Sequence, residues 1–242
     1  MKDFDPLKSF VGEVAEHNDD IPRGDEDETV RLLAELSDGE PALELAVGSG
    51  RIAIPLAARG VSVDGIELSD DMIAVLQRRP GGDRVRVFPG DMTIVSTGQT
   101  YPLVFLVFNS IFNLLTQDDQ VRCFENAARH LTGDGVFLVE AAVPSAWTQR
   151  DQYVNAESVQ VDHVVLDVCR YDPVTQILDE NHVHLDHGGV RLRPISCRLA
   201  WPAELDLMAR LAGLHLRQRW GGWQRESFDA GSSRHVSLYS RS

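Results

Sequence analysis

Between residues 43 and 143 the sequence changes rhythm every few residues, and that rhythm restricts the fold more than any other feature. Apolar runs at 43–47, 61–67, 84–88, 103–108 and 136–143 are too short for buried helices and rich enough in Val, Ile, Leu and Phe for buried strands. Helical spacing fills the gaps. Residues 51–59 form one helix, stopped by Gly60. Ser69 caps a second, with Asp70 and Asp71 in the first turn where the helix dipole favours acids, and "PGG" at 80–82 ends it. Thr116-Gln117-Asp118-Asp119 is a capping box with Asp in place of Glu, followed by Val121, Phe124, Ala128 and Leu131 along one face. Strands alternating with helices of this length predict right-handed crossovers and a parallel sheet.

Both flanks depart from this pattern. Phe4, Leu7, Phe10, Val11 and Val14 predict a short amphipathic N-terminal helix, and 25–36 predicts a second. After 143 three strands follow with no helix between them, at 159–171, 176–187 and 190–201, an antiparallel meander turned by "DPVT" and "HGGV". A turn at Gly188-Gly189 would pair Leu185 with Leu192 and Asp186 with Arg191. A helix from Pro202 and strands at 215–220 and 236–239 close the chain. The expected fold class is α/β: a seven-stranded, mostly parallel sheet with flanking helices, plus a three-stranded antiparallel sheet inserted after strand five. The 242 residues then form a single domain: N-terminal helices or a lid at 1–37, a core at 38–143, the inserted sheet at 144–201, and closing helix and strands at 202–242.

Charge narrows the partners. The net charge of −14 disfavours nucleic acid and anionic membranes, which need a phosphate-neutralising face. Nine arginines against four acids after Gly188 reverse the sign locally, and strand-edge charge explains that better than an anion site. No apolar run approaches the roughly 20 residues of a membrane helix, and the first ten residues lack the apolar stretch of a signal peptide. Cys123, Cys169 and Cys197 are odd in number and lack C-x-x-C spacing, which fits buried thiols in a reducing, cytoplasmic setting.

"PALELAVGSGRIAIPLA" (41–57) carries the candidate site. Gly48-x-Gly50-x-x-Ala53 after a strand, with Glu67 ending the next one, fits a loose dinucleotide fingerprint: unpaired N–H groups for an anionic group and an acid for ribose hydroxyls. The absence of Gly-Lys-Ser/Thr excludes a Walker loop. Glu44, ahead of the glycines, would be a poor neighbour for a pyrophosphate and a good one for a cation. Asp91, in "GDM", can accept from an adenine amine, with Met92 against the ring. For Glu44 and Asp91 the plain alternative is a solvated strand end. Three acids around adenosine and a positive centre point to S-adenosylmethionine.

"LELAVGSGR", "VDGIELSDDM", "FPGDM" and "LVFNSIFNLLTQDDQ" resemble, in order and spacing, motifs I to IV of the class I S-adenosylmethionine-dependent methyltransferases over about 42–143. The resemblance implies that Glu67 holds the ribose, that Asp91 and Met92 hold the adenine, and that Phe108 and Asn109 lie under the methionine part. Ala46, Gly48, Gly50, Arg51 and Leu68 complete the implied cofactor site with Glu44. Ala46 stands where the family usually has glycine, which a β-type backbone there would tolerate. The meander is similar in layout to that of the sugar-amine N,N-dimethyltransferases of antibiotic biosynthesis, which implies a homodimer and a small-molecule acceptor beside the extra sheet.

The expected reaction is methyl transfer to N or O of a small molecule. No residue declares itself as a catalytic base. His182 and His184 share a strand face, with His187 and His163 nearby, yet no acidic or thiol partner sits at a ligand spacing. A solvated or dimer-contacting face is expected for them, and no metal. Asn109 and Asn113 read equally as loop caps or as contacts to cofactor or substrate. Trp201, Trp220, Trp223 and Phe228 read as core and strand-end packing, or as pocket aromatics. Phe4 and Phe10 are candidates for a segment closing over the cofactor. Two alternatives remain at this level. An NAD-type oxidoreductase would leave Glu44 and Asp91 idle and lacks a Tyr-x-x-x-Lys, the only lysines being Lys2 and Lys8. A non-catalytic methyltransferase-like subunit would act through its antiparallel sheet.

Overall fold

The computed structural model describes residues 1, 4–5, 8–17, 19, 22–148 and 151–241. In chain order the elements are α1 (Glu13–Glu16), α2 (Glu26–Ser37), β1 (Ala42–Leu45), α3 (Ala53–Ala58), β2 (Val63–Glu67), α4 (Asp70–Arg78), β3 (Val85–Pro89), β4 (Tyr101–Leu106), α5 (Gln117–His130) and β5 (Leu131–Ala142). The antiparallel part follows as β6 (Gln152–Val159), β7 (His163–Asp172), β8 (Ile177–Asp186) and β9 (Gly189–Arg198), and α6 (Pro202–Leu211), β10 (His215–Trp220) and β11 (Arg234–Ser240) close the chain.

Seven strands form one sheet in the order β10-β11-β5-β4-β1-β2-β3. The five from β3 to β5 are parallel, while β11 runs antiparallel to β5 and β10 to β11. β1 and β2 are buried at every position, because helices cover both faces, and Glu44, Asp64 and Glu67 are buried with their apolar neighbours. One core lies between the sheet and α5 and α6, around Leu45, Val104, Phe124, Phe137 and Tyr239. The other lies under α2 and α3, around Leu33, Leu56, Val63, Phe105 and Leu138. Ser69 accepts from Met72 N at 3.2 Å, and Thr116 accepts from Asp119 N at 3.0 Å, so both predicted caps form. The strand order reverses at β1, which has β2 on one side and β4 on the other. The carboxyl ends of β1 and β4 flank the crevice that such a reversal opens.

The second sheet has four strands, in the order β6-β7-β8-β9, one more than the three expected. β6, "QYVNAESV", is an edge strand that pairs only with β7 through a bulge at Ala156/Ser158. Nearly all of it is exposed, so it needs no clean apolar alternation to mark it. The expected β8–β9 register is also corrected. Asp186 pairs with Gly189 and Leu185 with Val190, so the turn is His187-Gly188. The Asp186 carboxylate accepts the Gly188 N–H at 2.7 Å, and Gly189 sits at φ +122°. Asp first and Gly fourth is a type I turn signature, and it outcompetes the Gly-Gly turn.

The N-terminal helix is much shorter than expected. Gly12, at φ +56°, precedes a helix of only four residues; Leu7, part of the expected pattern, lies outside the described residues. The apolar spacing instead lets Phe10 and Ala15 pack on Met72 and Val75 of α4. Among the described residues no helix is long and apolar enough to cross a membrane.

Candidate active site

One cavity of about 650 Å³ opens at the switch point, within the size range of cofactor and ligand pockets. Its first wall is the turn after β1. Gly48 N donates to Glu67 Oε2 at 2.8 Å, and Ser69 N donates to Glu67 Oε1 at 2.8 Å, so the acid at the end of β2 ties the turn to the start of α4. Glu44 is 3% exposed, and its Oε2 has no hydrogen-bond partner among the described residues. Burial first, and then the charge of Glu67, push the Glu44 carboxyl well above the ordinary range; burial also raises Glu67, against its backbone hydrogen bonds. An unpartnered buried carboxyl oxygen facing a cavity suits a cationic or hydrogen-donating ligand.

The backbone of this wall is strained. Ala46 adopts φ +54°, not the β-type conformation that would make its methyl harmless. A left-handed L-residue costs roughly 1–2 kcal/mol, so the glycine usual here is absent at a real penalty. Phe108 and Asn109, after β4, are also left-handed, at φ +59° and +61°. Partly buried hydrogen bonds hold them there: Phe108 N donates to Glu140 Oε2 at 2.7 Å, and Ala142 N donates to Asn109 Oδ1 at 2.6 Å. Strain on both sides of one crevice marks a site whose shape is imposed by the surrounding fold.

Asp91 follows β3, with its Oδ1 accepting from Thr93 N at 2.8 Å, and Met92 is buried beside it. Glu44, Ala46, Gly48, Arg51, Glu67, Leu68, Asp91, Met92, Phe108 and Asn109 all line the same cavity. Gly50 does not. It sits at φ +80°, and a Cβ there would meet the Ile54 side chain at 2.9 Å, so it serves the turn and its packing.

An N-terminal segment closes over this crevice. Arg23 donates to Glu140 at 3.0 Å and stacks 4.1 Å from the Phe108 ring centroid. Asp19 bonds Ser49, Arg51 and Arg79, and Ser69 Oγ donates to the Phe10 carbonyl at 2.6 Å. Phe10, Asp19 and Arg23 line the cavity. Phe4 is not among the lining residues. The late aromatics do not line it either: Trp223 is buried in the core, Trp201 is exposed, and Phe228 packs on His235. Trp147, edge-on to Phe112, lines it instead.

The remaining wall belongs to the second sheet. Glu157, Asp167, Glu180, His182, Ile195 and Cys197 face the cavity, which corrects the expectation of a solvated or dimer-contacting face for His182; His184, His163 and His187 do not line it, and the last two are exposed. His182 Nδ1 lies 2.7 Å from Asp167 Oδ1. Asp167 is 15 residues from His182 in sequence but directly opposite it between β7 and β8, so cross-strand register supplied a partner that linear spacing could not reveal. Glu140 and the sheet acids are the residues that sequence reasoning missed. Glu140 reads as one polar residue in an apolar strand, and that was its only signal.

Fold and cavity together define an α/β domain with its ligand crevice at the switch point. The family described as Methyltransferase domain matches residues 42–135. The CcbJ methyltransferase from Streptomyces caelestis superposes with a TM-score of 0.92 at 35% identity, covering 99% of this chain and 100% of that one. The chain belongs to the class I S-adenosylmethionine-dependent methyltransferases, and its cofactor is S-adenosylmethionine. It is also 33% identical over 143 residues to the dTDP-3-amino-3,6-dideoxy-alpha-D-glucopyranose N,N-dimethyltransferase of Streptomyces fradiae, a match spanning 56% of this chain and only 55% of that relative. S-adenosylmethionine-bound CalS10, an amino pentose methyltransferase from Micromonospora echinaspora, shares the fold at 22% identity, with a TM-score of 0.72 and coverage of 96% of this chain and 98% of that one.

Proposed function

We propose that the protein methylates a nitrogen or oxygen of a small molecule in natural-product biosynthesis. One observation carries this reading: the acids Glu44, Glu67 and Asp91 share a single cavity with a second, polar wall, so cofactor and small acceptor can meet in one crevice. Glu67 takes the ribose, since the Gly48 and Ser69 N–H groups fix its carboxylate in the cavity wall and an ionised carboxylate can accept further hydrogen bonds. Asp91 takes the adenine amine, with Met92 against the ring. Glu44 offers its unpartnered oxygen to the positive end, and Phe108 and Asn109 support the methionine part.

The cofactor, when bound, supplies a methyl group on a positively charged sulfur that is already an activated leaving group. The chain's own contribution is positioning, worth up to roughly 7–11 kcal/mol in favourable cases. Phe10, Asp19 and Arg23 exclude water from the crevice. The amino-sugar substrate in the name of the Streptomyces fradiae relative supports an amino sugar as acceptor.

Three further readings accompany this one. The chain forms one catalytic domain with the boundaries given above, supported by β10 and β11 completing the sheet that β1 to β5 begin. It forms a homodimer through the outer face of the second sheet, where Val154, Val190 and Leu192 are 61–65% exposed with Val168 and Leu185 between them. It works in the cytoplasm, a reading supported by three buried, unpaired thiols.

Calorimetric titration with S-adenosylmethionine, its demethylated product and NAD(H) tests the central reading. Micromolar binding of the first two, weakened at least tenfold by Asp91→Ala, is expected. Binding of NAD(H) in their place overturns it.

A further inference from the structure

The second sheet gives the cavity a set of groups that cofactor binding leaves unused. Cross-strand register brings Asp167 of β7 opposite His182 of β8, and Glu157 comes in from β6. The His182 Nδ1 lies 2.7 Å from Asp167 Oδ1 and 3.6 Å from Glu157 Oε2, while Nε2 lies 4.0 Å from Glu180 Oε2. An ionised carboxylate only accepts, so Asp167 fixes the proton on Nδ1 and leaves the lone pair on Nε2. An imidazole oriented by a carboxylate in a cavity wall is the geometry of a general base. His184, two residues along β8, Arg193 and Arg191, opposite His182 and His184 on β9, Cys169, opposite Glu180 on β7, and Tyr153, opposite Cys169 on β6, are further charged or titratable groups on this face near the dyad. The Asp167 hydrogen bond foremost, opposed by burial and aided by Glu180 and Glu157, makes His182 more basic than a free imidazole.

Resting on the methyltransferase reading, we propose that His182 takes the proton from an acceptor that arrives as an ammonium ion, with Asp167 as its positioning residue and Glu157 and Glu180 as the carboxylates that attract the cation. An alkylammonium has no lone pair and cannot attack. Transfer of one N–H proton to Nε2 of His182 frees the nitrogen pair. That pair forms the new C–N bond, and the C–S bonding pair stays on sulfur, which leaves as a neutral thioether. The imidazolium then returns its proton to solvent. Glu157 and Glu180 beside the imidazole offer an ammonium acceptor charge-assisted hydrogen bonds that the matching alcohol cannot make, so the wall favours an amine.

The test uses the full chain and a panel of 2-, 3- and 4-aminohexoses with their hydroxyl counterparts. On protein loaded with S-adenosylhomocysteine, calorimetry should show an aminohexose binding at least tenfold tighter than the hexose, and Glu180→Gln should remove most of that preference. His182→Gln should bind S-adenosylmethionine within twofold of wild type, which also establishes that it folds. Its kcat should fall about 100-fold or more at pH 7, with the deficit shrinking below tenfold as pH approaches the pKa of the amine. Asp167→Asn should move the acidic limb of the pH profile to lower pH, because the imidazole loses the group that raises its basicity.

Four results would overturn the proposal while leaving the methyltransferase reading intact. They are a His182→Gln kcat within threefold of wild type, a deficit independent of pH, activity abolished by a chelator and restored by a divalent cation, and cofactor binding with no aminohexose bound or methylated. Failure to bind S-adenosylmethionine at all would sink the underlying reading instead.

Discussion

At the scale of single residues, Ala46 and Glu44 are held by the fold in states they would not choose alone. Ala46 accepts a left-handed backbone at φ +54°, where glycine meets no Cβ penalty. Ala46→Gly should therefore stabilise the free protein by about 1 kcal/mol, and calorimetric melting should show a rise of about 2–4 °C. Glu44 is held protonated above the ordinary 4.5 by burial and by the charge of Glu67. Its folded pKa is raised, so its contribution to stability is fully present below about pH 4.5 and is lost as pH rises through the folded value. Glu44→Gln should flatten the melting temperature of the free protein across that window. A cation in the crevice favours the ionised form. Cofactor binding should then release a proton and tighten with rising pH, readable by calorimetry in buffers of different ionisation heat, and both effects should vanish in Glu44→Gln.

At the scale of elements, the N-terminal segment and the second sheet are where linear reading and structure part most. Periodicity from Phe4 to Val14 indicated an amphipathic surface, and Phe10 does pack on α4. It could not indicate that the chain past Gly12 closes the crevice through Asp19 and Arg23, because those contacts reach 30 to 117 residues away. Deleting residues 1–20 should weaken cofactor affinity about tenfold and lower kcat, and unchanged values for both would refute a closing role. The second sheet was legible as antiparallel strands from its turns. Its edge strand β6 was not, because an exposed edge needs no apolar period. The proposed dimer predicts that wild type sediments as a dimer and that replacing the exposed Leu192 with Asp gives a monomer with the core unaffected, since the side chain faces away from the cavity; a monomeric wild type refutes it.

At the scale of the whole molecule, seven strands and their flanking helices bring together a crevice whose walls come from all parts of the chain. Ligand binding to the folded state alone should raise global stability by about 2.7 kcal/mol at 100 times Kd, a melting shift of about 5–10 °C measurable by scanning calorimetry. Glu140 shows why some of this crevice escaped linear reading. It lies in an apolar strand 117 residues from Arg23 and 32 from Phe108, and only closure of the sheet brings all three together.

The sequence by itself determined the strand–helix alternation, the caps at Ser69 and Thr116 and the grouping of Glu44, Glu67 and Asp91 at successive strand ends, because these follow from local periodicity and from the repeat of the strand–turn–helix unit. Only the tertiary structure decided that Ala46 is left-handed, that Glu44 keeps an unpartnered oxygen, and that His182 meets Asp167 in the cavity wall. Those outcomes depend on which strands pair, in which register and under which cover, and the energies that settle them come from contacts between residues far apart along the chain.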